Sequence, residues 1–107
     1  MNFLYDSRGQ HVASEVNGLL YTAAGRNIGR YLDKYGVFVD LEGRYLGEIL
    51  CINRLVQDRN SRYRGMSLGA SSSRGVLRLY ERPRGCSPLP LPPGFEDIHL
   101  QDPPEIQ

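Results

Sequence analysis

Phe3-Leu4-Tyr5-Asp6, Leu19-Leu20-Tyr21-Thr22, Val37-Phe38-Val39-Asp40 and Leu55-Val56-Gln57-Asp58 are four openings of one short unit that fills Phe3 to Gly69. Each opening leads to a turn residue: Gly9, Gly25, Gly43 and Ser61, spaced 16, 18 and 18 residues apart. Beyond the turn come a small residue (Ala13, Gly29, Gly47, Gly65) and then an apolar one (Val16, Leu32, Leu50, Leu68). Agreement at so many columns marks a genuine internal repeat. Its period is shorter than the roughly 20–50 residues of solenoids and propellers. Each copy therefore has room for two short strands of about five residues.

The residue types name the hairpin. In Asp-x-x-Gly, the Asp side chain caps its own backbone at the first turn position and the Gly accepts positive φ at the last. Three- to five-residue hairpin loops are commonly built this way. The flanks are rich in Tyr, Phe, Val, Ile and Leu, as strands prefer. Gly inside a strand weakens it unless a bulge or a close approach needs it. The small column thus has two readings: the copies converge there, or each hairpin carries a bulge there. No apolar stripe at helical spacing persists, so the class is all-β. The expected architecture is four tandem hairpins in a pseudo-four-fold arrangement over residues 1–69. A linker and one additional strand follow over 70–84 (Val76 to Arg82 alternates), then a proline-rich acidic tail over 85–107. Copy four is degenerate, with Ser61 for Gly and Arg64 where Val12, Ile28 and Leu46 stand in the others.

These units, with Leu4-Tyr5-Asp6-Ser7-Arg8-Gly9 and Gly43-Arg44-Tyr45-Leu46-Gly47-Glu48 as the best examples, resemble a family of small uncharacterised bacterial proteins named for a four-fold β-flower. The resemblance covers about Phe3 to Gly69, and a tail rich in Pro and Leu is in keeping with it. It implies a fold and no chemistry. Tyr5-Asp6-Ser7-Arg8-Gly9 also resembles, less closely, the tyrosine-aspartate repeat of large secreted shell proteins.

The 107 residues carry a net charge of +1, which suits one small domain without a global pull toward nucleic acid or anionic membrane. The start lacks a basic and apolar leader, and no window reaches the roughly 20 apolar residues of a membrane span. A cytoplasmic protein with reduced Cys51 and Cys86 is the expectation, Cys51 being a buried thiol in an apolar strand. His11, His99, Cys51 and Cys86 have no metal-ligand spacing, and no nucleotide fingerprint occurs, so neither a metal nor a cofactor is expected. His11 reads as an exposed turn residue.

Two patterns could carry chemistry. Asp6, Asp40 and Asp58 share a repeat position and could form a carboxylate rim for a hydrolase or a cation, although turn capping already accounts for them. Arg54, Arg59, Arg62, Arg64, Arg74 and Arg78 belong to a strip running to Arg84, with Tyr63 and Tyr80 among them, which suits a polyanion or nucleic acid. The tail is acidic and could fold back on that strip. Every repeated residue (Asp6, Gly9, Gly25, Gly29, Asp40, Gly43, Gly47, Asp58, Gly65) has a folding role. The leading expectation is therefore a non-enzymatic structural or protein-interaction module, with a protein partner or a second copy as the ligand. Polyanion binding and hydrolysis follow as alternatives.

Overall fold

The computed structural model describes residues 1–78 and 83–100. Turn chemistry folds the first three copies as the sequence dictates. Gly9, Gly25 and Gly43 take φ of 88°, 97° and 86°, and their N–H groups donate to the carbonyls of Asp6, Thr22 and Asp40 at 3.1, 2.9 and 3.0 Å. The Asp6 carboxylate accepts the N–H of Arg8 (3.0 Å) and of Gln10 (2.9 Å). Asp40 repeats this with Glu42 (2.9 Å) and Arg44 (3.0 Å). At Thr22 the side chain caps in the same way, Arg26 N–H donating to its Oγ1 at 3.2 Å.

The hairpins are β1 (Asn2–Tyr5) with β2 (His11–Val16), β3 (Leu19–Thr22) with β4 (Asn27–Leu32), and β5 (Val37–Asp40) with β6 (Tyr45–Leu50). β7 (Arg54–Asp58) follows, and the chain has no helix among the described residues. Neighbours pair antiparallel, and a parallel pair between Tyr5 and Arg54 joins β1 to β7. Seven strands thus close into a barrel. An eighth, β8 (Phe95–Asp97), is added outside on β7.

Both readings of the small column hold together. Leu4 faces Ala13, Leu20 faces Gly29 and Phe38 faces Gly47 across the hairpins. One large and one small side chain per hairpin fill the narrow interior, as small barrels require. Leu4, Ala13, Leu20, Phe38 and Leu55 form the central cluster. A Cβ on Gly29 would lie 2.1 Å from the Val39 carbonyl oxygen, so nothing larger fits there. Immediately beyond this layer each hairpin bulges, at Leu4/Tyr5, Leu20/Tyr21 and Phe38/Val39. The register leaves Val12, Ile28 and Leu46 as the unpaired bulge residues, and all three pack on the central cluster.

Copy four departs from the expected repeat. Val16 and Leu32 face Leu19 and Val37, but Leu50 faces Arg54, one residue further from its Asp. The cause is the three-residue connection Cys51–Asn53. Because side chains alternate along a strand, this one-residue slip exchanges the two faces of β7. Leu55 therefore joins the core cluster in place of Val56, the repeat-equivalent of Leu4. The expected return strand after Ser61 does not form. Gly65 lies in an exposed turn with open space around it and takes no part in the small column. The strand added to the seven is β8, drawn from the tail, and of the expected strand from Val76 to Arg82 the described part, 76–78, forms none. Val76 makes a single bridge to Arg26, while 79–82 lie outside the described residues.

Candidate functional site: the strapped mouth of the barrel

The described residues between 67 and 97 encircle the turn end of the barrel. From turn four the chain passes back to turn three, where Leu68 N–H donates to the Gly43 carbonyl at 2.7 Å. At turn two Leu77 N–H donates to Gly25 at 2.7 Å, and at turn one Cys86 N–H donates to Gly9 at 2.9 Å. The step is nine residues each time, and one further step lands on Phe95, which opens β8. The circuit closes where Arg59 N–H donates to the Gly94 carbonyl at 2.9 Å. A Cβ on Gly9, Gly25 or Gly43 would collide with the backbone of Cys86, Leu77 or Gly69. The turn glycines thus serve twice, for positive φ and for close approach of the strap.

Side chains secure this strap. Buried Asn27 donates to the carbonyls of Leu20 (2.9 Å) and Gly29 (3.0 Å), and its Oδ1 accepts Arg74 N–H at 2.8 Å. Arg54, 7% exposed, donates to the carbonyls of Asp6 (3.0 Å) and Ser87. It ties β7, turn one and the strap together, which removes it from any exposed basic surface.

At the end of the circuit, Pro92-Pro93-Gly94-Phe95 makes a turn closed by Phe95 N–H to the Pro92 carbonyl (3.2 Å), with Gly94 at φ 91°. Pro then Gly with positive φ at the centre is a type II signature. It feeds β8 onto β7 in the register Asp58–Phe95, Gln57–Glu96 and Val56–Asp97. The Asp97 carboxylate accepts Ser7 N–H at 2.7 Å and Ser7 Oγ–H at 2.6 Å. Glu96 pairs with Arg59 at 3.3 Å. Ile98 lies against Gly47, and Ile98 and Leu100 pack on the central cluster beside Val12, Ile28 and Leu46. The mouth is therefore an apolar patch built from three bulges and covered by Ile98 to Leu100.

Two open grooves flank this cover. One, of about 540 Å³, runs between turns two and three past Arg26, Ile28, Glu42 and Ser73. The other, of about 650 Å³, is lined by Arg8, Gln57, Glu96 and Asp97. Leu46 and His99 border both.

The remaining candidates distribute as follows. Arg59, Arg62, Arg64, Arg74 and Arg78 are exposed, but the first three lie at turn four while the strap carries Arg74 and Arg78 to turn two, so they form no single strip. Exposed Arg8, Arg26 and Arg44 of the first three turns join them on the rim of the turn end. Arg62 stacks over Tyr63, 5.2 Å from the ring centroid. The carboxylates of Asp6 and Asp40 are engaged by two backbone N–H groups each, and that of Asp58 by Asn60 N–H at 2.9 Å. Turn capping is their role, and no three His, Cys, Asp or Glu residues gather to hold a metal among the described residues.

His11 is not an exposed turn residue. It is half-buried edge-on between Phe3 and Tyr5, with Nε2 3.0 Å from Ser14 Oγ. Desolvation lowers its pKa, partly offset by a backbone hydrogen bond at Ala13. Cys51 is not a core thiol; it is exposed in the β6–β7 connection. The acidic tail does fold back on the arginine strip, at Glu96 and Arg59; the strap's circuit of the turns and the Ser7–Asp97 pair were not legible in the sequence. The strap's bonds at Gly43, Gly25 and Gly9 use backbone only and leave no common side-chain motif at Leu68, Leu77 and Cys86.

No helix among the described residues is long and apolar enough to cross a membrane. No family model, curated protein or solved structure matches the chain.

Proposed function

We propose that the chain is a non-enzymatic protein-interaction module, working in the cytoplasm, whose working surface is the mouth and the adjoining edge of β7. The observation that carries this reading is the seating of β8 and the Ile98–Leu100 cover. Main-chain pairing on β7, a carboxylate held by Ser7 and two apolar side chains in the mouth are the elements by which sheet edges bind extended peptides. The Asp residues that might have served a hydrolase are engaged as turn caps, which favours this reading over catalysis. The likeness to the four-fold β-flower family belongs to the same proposal, supported by three hairpins in equal register.

A photo-reactive residue at exposed His99, beside the mouth, tests it against the same residue at Lys34, at the other end. A defined partner captured from the native host at position 99 and not at 34 is the expected result. Equal labelling at both positions would defeat the proposal.

The arginine rim supports a second reading, polyanion binding. Arg26, Arg44 and Arg62 follow the turn residue in three copies, and all are exposed. Retention on heparin that weakens with salt and with Arg62→Ala and Arg64→Ala would favour it. Absence of retention at low salt would retire it.

A further inference from the structure

Resting on the interaction-module reading, we infer that the β7 edge and mouth form a strand acceptor, and that its ligand in trans is Phe95–Leu100 of a second copy of this chain. The acceptor is incomplete by construction. Copies one to three each supply their own return strand, whereas copy four leaves Val56–Asp58 bare until a segment 36 residues away arrives. The acceptor reads sequence as well as backbone. Ser7 takes a carboxylate through two donors, Arg59 faces Glu96, Gly47 leaves the hollow in which Ile98 sits, and Leu100 reaches the core. A fitting strand therefore carries acid, Asp, aliphatic, any residue, aliphatic. Within this chain, Glu96-Asp97-Ile98-His99-Leu100 itself satisfies this.

The route to exchange is equally local. The strap's last bond before β8 to a hairpin turn is Leu89 N–H to the Ser7 carbonyl, 2.8 Å. Between it and Phe95 lie Pro90, Leu91, Pro92, Pro93 and Gly94, an extended run ending in one turn. Opening that turn re-aims the final segment and releases the closing bond at Arg59, while the strap's bonds to turns one, two and three stay in place. Because the exchanged and closed forms make the same contacts, only the hinge and concentration separate them. A tether this short holds the segment at an effective concentration in the ~mM range. Closed monomers therefore dominate in dilute solution, and exchange grows as the chain approaches that concentration.

The test uses full-length chains carrying Cys51→Ser and Cys86→Ser. One copy also carries Arg59→Cys, a second, tagged copy carries Glu96→Cys, and a third chain carries both. The substituted side chains are solvent-exposed partners of one surface ion pair, so the fold tolerates their loss. Copies are unfolded and refolded together, then treated with a short bis-maleimide. The doubly substituted chain is expected to close within itself. The mixed single variants are expected to give a cross-linked heterodimer whose yield rises at least tenfold from ~10 µM to ~1 mM. Adding Ile98→Asp to the Glu96→Cys copy is expected to abolish it. Closure within one chain but no heterodimer at any concentration overturns the exchange and leaves the acceptor standing. Failure of the double variant to close overturns the acceptor as well.

Discussion

Hairpins one to three and copy four begin with the same kind of opening and end differently. In the first three, an Asp or Thr and a Gly fold the strand back within four residues, and a bulge turns Val12, Ile28 or Leu46 into the mouth. Copy four keeps Asp58 but has Ser61 for the Gly and Arg64 for the apolar bulge residue. Its β7 is also out of register by one. A strand edge so left is a template for whatever strand reaches it. Here it is the tail, delivered by a circuit around the other three turns. Copy four still closes its turn, Ser61 N–H donating to the Asp58 carbonyl at 3.1 Å, yet no return strand follows; the turn alone does not make a hairpin, and without the returning strand β7 is left as a receptor.

The sharpest way to break the regular half is to fill its small column. Gly29→Val places side-chain atoms on the Val39 carbonyl and is expected to cost about 3 kcal/mol or more, seen as loss of the cooperative melt. Phe38→Ala at the facing position empties a fully buried seat and should cost about 3–5 kcal/mol by denaturant titration. The caps measure the contrast between the halves directly. Asp6→Ala removes an acceptor of two N–H groups from a buried turn and should cost about 2 kcal/mol. Asp58→Ala removes one bond at an exposed turn and should cost about 1 kcal/mol or less. Equal losses would show that turn four matters as much as turn one.

A smaller effect, of opposite sign, is expected at the connection that shifts copy four. Cys51 and Ile52 take φ of 50° and 77°, and Asn53 N–H donates to the Cys51 carbonyl at 2.9 Å. That is a γ-turn with a β-branched residue at positive φ, a strained arrangement. Ile52 is 94% exposed and has little packing to lose. Ile52→Gly should raise stability by about 0.5–1 kcal/mol, or a few degrees in Tm.

The smallest effect belongs to His11. Its folded pKa lies below the ordinary 6.5 because burial disfavours the cation. The unfolded chain therefore binds the proton first as pH falls. The contribution of His11 is complete above 6.5 and is lost as pH drops through the folded value. His11→Phe should flatten the fall in Tm between neutral and mildly acidic pH.

The residues that could be read without a structure are those whose conformation is decided by near neighbours. Asp6, Asp40, Gly9, Gly25 and Gly43 determine their own turns, because cap and positive φ are local requirements. The small column also announced itself, since Ala13, Gly29 and Gly47 recur at a strand position that disfavours them. Tertiary structure alone decided the rest. Closure through Tyr5 and Arg54 and the adoption of Phe95–Asp97 as a strand depend on partners far away in the chain, and the exchange of Leu55 for Val56 on the register that the Cys51–Asn53 connection imposes. The ring around the turns is held largely by backbone hydrogen bonds, which any sequence can donate. A periodicity written in N–H and C=O groups leaves no side-chain pattern to read.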